Sequence, residues 1–351
     1  MTPPSALLAS LGWTGTQNDY SEPGDPPGLS PVRLSEVHRD RVTALSDQGT
    51  LSLALPQGQT TSELAVGDWA LADPAIGLLV RRLARRSLLT RRAAGDVSRD
   101  QLIAANVDTA FLTTSCNADF NEARLERYLS LIHQGGIAPV ILLTKADQCA
   151  DPTSFLARAA AIAPDTPTLA LNSKDPATAA RLAGWTAPGQ TVCFLGSSGV
   201  GKSTLANTLT GLKLDTGAIR EDDAKGRHTT TARALFPIPG GGWLIDTPGM
   251  RELRLSDVAE GIEATFADLI DLAARCRFTD CAHDREPGCA VQAAISAGTL
   301  DAARLQRWQK LAREDQFNSA SAAELRARAK KFGKLTRDAG KHKKRWGEVE
   351  E

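Results

Sequence analysis

The run Cys193-Phe-Leu-Gly196-Ser197-Ser198-Gly199-Val200-Gly201-Lys202-Ser203-Thr204 constrains this 351-residue chain more than any other stretch. An apolar segment from Val192 to Leu195 reads as a buried strand, the glycines permit a tight turn, and Leu205 onward reads as a helix. Gly, four residues, then Gly-Lys-Ser between a strand and a helix is the pattern of a phosphate-binding loop. Successive backbone N–H groups from Gly196 through Thr204, with the positive end of the helix, would cradle phosphates. Lys202 would reach the β and γ oxygens, and the Ser203 hydroxyl would ligate Mg²⁺. A chance glycine-rich loop has no reason to carry both flanks.

Tracing the chain toward this loop, residues 1–32 are rich in Pro and Gly and read as a flexible arm. From 33 to 98 the pattern is short period-two runs, Leu51-Ser-Leu53-Ala-Leu55, then Val66 to Leu71, then Gly77 to Val80. Such spacing predicts a small closed β-barrel of the oligonucleotide-binding type. Arginines 81, 82, 85, 86, 91 and 92 charge its exit, fitting either RNA contact or a solvated basic strand.

Residues 99–252 alternate strand and helix, the signature of an α/β domain with a parallel sheet. A helix over 120–134 carries Leu125, Tyr128, Leu129 and Ile132 on one face. The strand Pro139 to Leu143 delivers Thr144-Lys145-Ala146-Asp147 at its C-terminal end, where open α/β sheets bind ligands. Guanine presents N1–H and N2–H₂ side by side, so the Asp147 carboxylate can accept both, whereas adenine lacks that donor pair. Lys145 would cover the base face and Thr144 brace the loop, with Ala146 between them. Asn172-Ser173-Lys174, after a further strand, is placed to meet guanine O6 through a backbone N–H or to be a plain strand exit.

Beyond the phosphate loop, Lys225 to Thr231 reads as a mobile switch in which a threonine, Thr230 in our assignment, supplies a second Mg²⁺ hydroxyl. Asp246-Thr-Pro-Gly249 ends the strand Trp243 to Ile245. Asp246 would hold Mg²⁺ through water and the Gly249 N–H would meet the γ-phosphate. The next residue is Met250, whose thioether is too weak an acceptor to orient water, so intrinsic hydrolysis should be slow. His228 is a candidate helper or a loop brace. The base-reading tetrapeptide precedes the phosphate loop, an order that a circular permutation explains.

Residues 253–351 open with Cys276, Cys281, His283 and Cys289 within fourteen residues. Three thiolates and an imidazole form a closed tetrahedral Zn²⁺ set with no open position, hence a structural metal. A helix over 300–311 follows, then ten Lys/Arg against one Asp between Arg326 and Arg345, which the net charge of zero conceals. That basic tail suits RNA phosphates or mere solubility. No segment is long and apolar enough for a membrane helix. The first 32 residues hold no Lys or Arg, so no secretory signal is expected and a cytoplasmic place is.

This combination resembles the circularly permuted ribosome small subunit-dependent GTPases, the RsgA family, over roughly residues 33–345. The resemblance rests on Ala104-Ala-Asn-Val-Asp108, Thr144 to Asp147, Gly196 to Thr204, Gly226-Arg-His-Thr-Thr-Thr231, Asp246 to Gly249 and the Cys276 to Cys289 cluster. It implies an N-terminal barrel, a central permuted P-loop GTPase domain and a C-terminal helical zinc domain. It also implies GTP and GDP as ligands with Mg²⁺ and one structural Zn²⁺. The small ribosomal subunit and its rRNA are the implied partners, met by a monomer without a membrane. The implied activity is GTP hydrolysis stimulated by the subunit during its late maturation. The other reading is an rRNA-binding switch in which turnover is incidental.

Overall fold

The computed structural model describes residues 5–15, 22, 24–92, 100–213, 233–246 and 258–319. Five strands close the N-terminal barrel: β1 (Ser30–Val37), β2 (Arg41–Ser46), β3 (Gly49–Ala54), β4 (Trp69–Asp73) and β5 (Leu78–Arg82). β1 pairs with both β2 and β4, β2 with β3, β3 with β5 and β5 with β4, so no edge is left between them. Val32, Leu34, Val42, Ala44, Leu53, Ala70, Ala72 and Leu79 fill the interior. The barrel thus begins three residues before the expected boundary at 33.

A hairpin of β6 (Leu88–Arg92) and β7 (Asp100–Ala105) leads into the α/β domain. Its strands are β8 (Thr109–Ser115), β9 (Ala138–Thr144), β10 (Thr168–Ala170), β11 (Thr191–Leu195), β12 (Ala234–Pro237) and β13 (Trp243–Asp246). They lie in the order β10-β9-β8-β11-β13-β12, all parallel except β12. β8 and β11 are buried along their whole length, as central strands covered on both faces require, although β8 includes four hydroxyl residues. The strand that carries the phosphate loop therefore sits at the centre of the sheet although it comes fourth in this domain's sequence.

The junction between barrel and sheet explains the Ala-Ala-Asn-Val-Asp segment. Asn106 adopts a left-handed backbone, φ 53°, and its amide donates to the Gly67 carbonyl at 3.0 Å while accepting from the Arg86 N–H at 3.0 Å. Gly67 cannot be replaced there, because a Cβ would lie 2.2 Å from the Ala105 carbonyl. Asp108 accepts from the Thr191 N–H at 2.8 Å, tying the start of β11 to the start of β8.

Residues 5–15 depart from the flexible arm expected over 1–32. Ser5 caps the short helix α1 (Ala6–Ser10), and Leu8 and Leu11 pack on Trp69, with Trp13 against the same indole at 4.7 Å. Trp243 donates to the Ser10 carbonyl at 2.8 Å. The fully buried Arg33 donates to the Leu11 carbonyl and, at 2.7 Å, to the Thr191 hydroxyl. Burial pushes its guanidinium down to about 10 despite nearby Asp108. Composition hid this docking, because a proline-rich stretch need contribute only two leucines and a tryptophan to be held.

The remaining helices are α2 (Glu122–Gln134), α3 (Pro152–Ile162), α4 (Ala177–Leu182), α5 (Lys202–Thr210), α6 (Ala259–Thr265), α7 (Ala267–Ala273), α8 (Ala290–Ser296) and α9 (Ala302–Asn318). Asn121 caps α2 by accepting from the Arg124 N–H. The expected stripe of Leu125, Leu129 and Ile132 is buried, but so are Glu126 and Ser130 on the opposite side. That second face meets α6 so closely that a Cβ on Gly261 would stand 1.9 Å from the Ser130 carbonyl. One apolar core consequently runs from β8 and β9 through α2 to Ile262, Phe266, Val291 and Leu305.

Candidate nucleotide and zinc sites

The turn between β11 and α5 is built as phosphate-loop chemistry demands. A Cβ on Gly196 would stand 2.1 Å from the Thr113 carbonyl, and Gly199 and Gly201 have φ of 79° and 99°. Gly201 is the N-cap of α5, so Lys202, Ser203 and Thr204 form the helix's first turn with their N–H groups facing outward. Lys202 folds back over the loop, its ammonium donating to the Gly196 carbonyl at 2.8 Å and to that of Ser197. Ser198, Gly199 and Ser203 are exposed, Ser197 is half-buried, and Val200 is buried in the core.

Thr144 to Asp147, the tetrapeptide expected to read guanine, stands at the C-terminal end of β9, one strand beyond β8 from the phosphate loop. The Thr144 hydroxyl donates to the Val200 carbonyl at 2.5 Å and the Thr114 carbonyl at 3.0 Å. The brace anticipated for Thr144 therefore reaches across to the phosphate loop itself. Lys145 takes the left-handed conformation, φ 56°, and turns the chain so that Ala146 and Asp147 begin a single helical turn. The Ala146 N–H reaches the Leu171 carbonyl at 3.4 Å, joining this loop to the next one.

In that next loop the Asn172 side-chain oxygen accepts from the Lys174 N–H at 2.9 Å. The Ser173 carbonyl accepts from Thr208 of α5 at 2.7 Å. Ser173, part of the looser match in sequence, thus rests on the phosphate-loop helix, while Asn172 bonds Lys174 of its own loop and Thr178 just beyond it. Asp246 closes β13, one residue beyond the Cys193 to Ile245 pairing, so its carboxylate belongs to the strand end beside the phosphate loop. Together Thr144 to Asp147, Asn172, Ser173, Gly196 to Thr204 and Asp246 ring one end of the sheet. His228, Thr230, Gly249, Met250 and the basic tail lie outside the described residues.

Sequence reading missed Asp119. It follows β8 and accepts from the Ser197 hydroxyl at 2.7 Å while pairing with Arg124 at 3.0 Å, linking the phosphate loop to α2. An acidic residue just after a central strand was the available signal. The basic exit of the barrel, in contrast, is largely committed to internal contacts. Arg85 is bound to buried Asp68 at 2.6 Å, and Arg81 to Glu22 and Asp25 at 2.9 and 3.0 Å. Cys193 and Cys116 are core thiols, which burial pushes up to about 12 and about 11.

Cys276, Cys281, His283 and Cys289 converge, with one ligand atom from each lying within 4.8 Å of the others. Around a tetrahedral zinc, bond lengths of about 2.3 Å to sulfur and about 2.0–2.1 Å to nitrogen give ligand edges of about 3.8 Å for S···S and about 3.6 Å for S···N. The Cys276 to Cys289 separation is 3.8 Å, and His283 Nδ1 lies 3.6 Å from each of those sulfurs. The donor set therefore fits Zn²⁺ in identity and in size. His283 is held at φ 60°, with Gln292 donating to its carbonyl at 2.6 Å and Trp308 leaning on its ring at 5.8 Å. Glu286 fixes the loop by accepting from the Ala282 and Asp284 N–H groups, both at 2.9 Å.

Comparison with known proteins agrees with this geometry. The family model described as RsgA GTPase matches residues 82–256. A Mesorhizobium japonicum protein named small ribosomal subunit biogenesis GTPase RsgA is 54% identical over 323 residues, covering 91% of this chain and 93% of that one. The Vibrio vulnificus protein named small ribosomal subunit biogenesis GTPase RsgA 2 is 47% identical, with 94% of each chain covered. Among solved structures, YjeQ from Thermotoga maritima superposes with a TM-score of 0.61 at 23% identity, covering 81% of this chain and 97% of that one. YloQ, described as a circularly permuted GTPase, gives 0.60 at 20% identity and covers 86% and 100%. Among the described residues no helix is long and apolar enough to cross a membrane.

Proposed function

Since the chain belongs to the RsgA GTPase family and is a GTP-hydrolysing enzyme, we propose that it acts on the small ribosomal subunit. In this reading it binds the subunit and its rRNA late in maturation and hydrolyses GTP when the subunit stimulates it. The observation that carries the nucleotide assignment is the Thr144 hydroxyl on the Val200 carbonyl. It ties together the two loops that would read the base and hold the phosphates, which supports a shared site although Asp147 and Lys202 are encoded 55 residues apart.

Within that site Asp147 accepts guanine N1–H and N2–H₂, and Lys145 lies along the base. The N–H groups from Gly196 to Thr204 hold the phosphates, and Lys202 exchanges its two loop carbonyls for phosphate oxygens. Ser203 and Asp246 offer the hard oxygen donors that would hold Mg²⁺. When bound, the ion would supply positive charge against that developing on the phosphates. Thr230 supplies the second hydroxyl, the Gly249 N–H meets the γ-phosphate and His228 orients the attacking water. Met250 leaves that orientation weak, hence the need for the subunit. The zinc set fixes the loop that seats α8 and α9, a structural task.

Turnover of GTP with and without purified small subunits tests this. A rate raised at least tenfold by subunits is expected, and an unchanged rate would overturn the proposal. An Asp147→Asn variant that binds GTP as before would remove the base-reading assignment.

A further inference from the structure

Asp119 is held more firmly than the entry to a helix requires, for α2 already has its cap in Asn121. Its carboxylate accepts from the Ser197 hydroxyl at 2.7 Å, within the range of charge-assisted O–H···O⁻ bonds, and from Arg124 at 3.0 Å. Arg124 also donates to the Asp119 carbonyl, and the Asp119 N–H donates to the Asn117 side-chain oxygen at 2.9 Å. That oxygen accepts in turn from the hydroxyl of Ser115, the buried last residue of β8, at 2.8 Å. The carboxylate is thus aimed at the phosphate loop from the end of a central strand.

The loop it meets has two unequal halves. Lys202 to Thr204 are the first turn of α5, so the helix itself fixes their N–H groups. Gly196 to Gly199 precede the helix, and glycines at φ 141° and 79° make this half compliant. Lys202 braces it by donating to the Gly196 carbonyl at 2.8 Å and to that of Ser197. Once that ammonium transfers to phosphate oxygens the brace goes with it, and the bond from Ser197 to Asp119 is the side-chain hold that stays. We propose that Asp119 is a positioning residue for GTP hydrolysis, acting through the Ser197 hydroxyl to keep the N–H groups of Gly196 to Gly199 aimed at the phosphates. This rests on the reading of residues 196–204 as the phosphate site. Phosphoryl transfer is accelerated almost wholly by placement and fixed charge, so a loosened half-loop costs rate before it costs affinity.

The test is intrinsic GTP hydrolysis by the full-length protein without subunits, for wild type, Asp119→Ala, Ser197→Ala and the double variant, with the melting temperature of each. Each single variant should lose about five- to tenfold in kcat, with KM for GTP changed less than about threefold, because Lys202 and the helical half still bind phosphates. The double variant should lose no more than Asp119→Ala alone, since both changes remove the same bond. Asp119→Asn, which keeps an oxygen for the Ser197 hydroxyl, should recover most of the kcat that Asp119→Ala loses. Lower melting temperatures with kcat unchanged, where all variants are folded, would make Asp119 a tie of the fold and overturn the proposal. Single losses that multiply in the double variant, or a raised KM with kcat intact, would also overturn it. Lys202→Ala checks the premise separately. If it leaves GTP affinity whole, the phosphate-site reading falls; if it weakens GTP about tenfold or more while Asp119→Ala keeps its kcat, only the role of Asp119 falls.

Discussion

Glu126 is the perturbation whose cost can be worked out most fully. It lies on α2 with its carboxylate fully buried, bonded to Arg304 at 3.2 Å and to Arg307 at 2.6 Å, both from α9. Arg304 spends every donor: two on Asp268, one on Glu126, and one each on the Ile162 and Thr265 carbonyls. Burial pushes Glu126 upward while Arg307 and Arg304 pull it back. Breaking a buried pair by removing one partner costs about 3–5 kcal/mol. Both arginines keep another carboxylate, Asp268 for Arg304 and Glu122 for Arg307 at 3.3 Å, so the lower end applies to Glu126→Ala, about 3 kcal/mol. For a cooperative unit of 150–250 residues that is a fall of about 6–12 °C in melting temperature. Calorimetry would measure it. A fall below about 2 °C would refute the reasoning.

Metal analysis should find about one zinc per chain, and Cys281→Ala should lose it, with a change in Trp308 fluorescence because that ring leans on His283. Undiminished zinc would dissolve the cluster. Deleting residues 1–12 strands the Arg33 and Trp243 donors now held by Leu11 and Ser10. Urea unfolding should then show a loss of about 1–3 kcal/mol, and an unchanged midpoint would contradict the docking. Burial lowers His133 from its ordinary 6.5, so the unfolded chain is protonated first as pH falls. Its contribution to stability is therefore whole above about pH 6.5 and lost below it, by at most about 1.4 kcal/mol per pH unit. His133→Gln should flatten the decline between pH 7 and pH 5, and parallel curves would refute the assignment.

What could be read in the sequence was what ligand chemistry prescribes. Glycines at 196, 199 and 201, Lys202 and Asp147 have the spacings that phosphates and a base would require, and four potential zinc ligands within fourteen residues leave few alternatives. The barrel was legible because its strands alternate. Contacts between segments distant in sequence were not. An acidic residue after a central strand is a faint local signal for Asp119, but it does not name Ser197 as its partner, and nothing local marks Glu126 as buried, since a glutamate on an amphipathic helix ordinarily faces water. Likewise Arg81 and Arg85 read as a basic surface because their acidic partners lie 17 or more residues away.

These distant contacts bear on how the nucleotide site reaches the C-terminal helices. The permutation lets the second switch continue covalently toward α6, a route that lies in undescribed residues 247–257. A second connection is already packed. Ser197 of the phosphate loop bonds Asp119, Asp119 pairs with Arg124 of α2, and α2 is locked to α9 by Glu126 and by Arg127 on Glu314 at 2.7 and 2.5 Å. Gly261 keeps α6 in backbone contact with the same helix. A close-packed interface of this kind repacks as a unit instead of bending. α2 and the C-terminal helices are therefore packed together, and Asp119 joins them to the phosphate loop. A shift imposed on Ser197 would meet that packed unit through Asp119 before it met any other part of the C-terminal region.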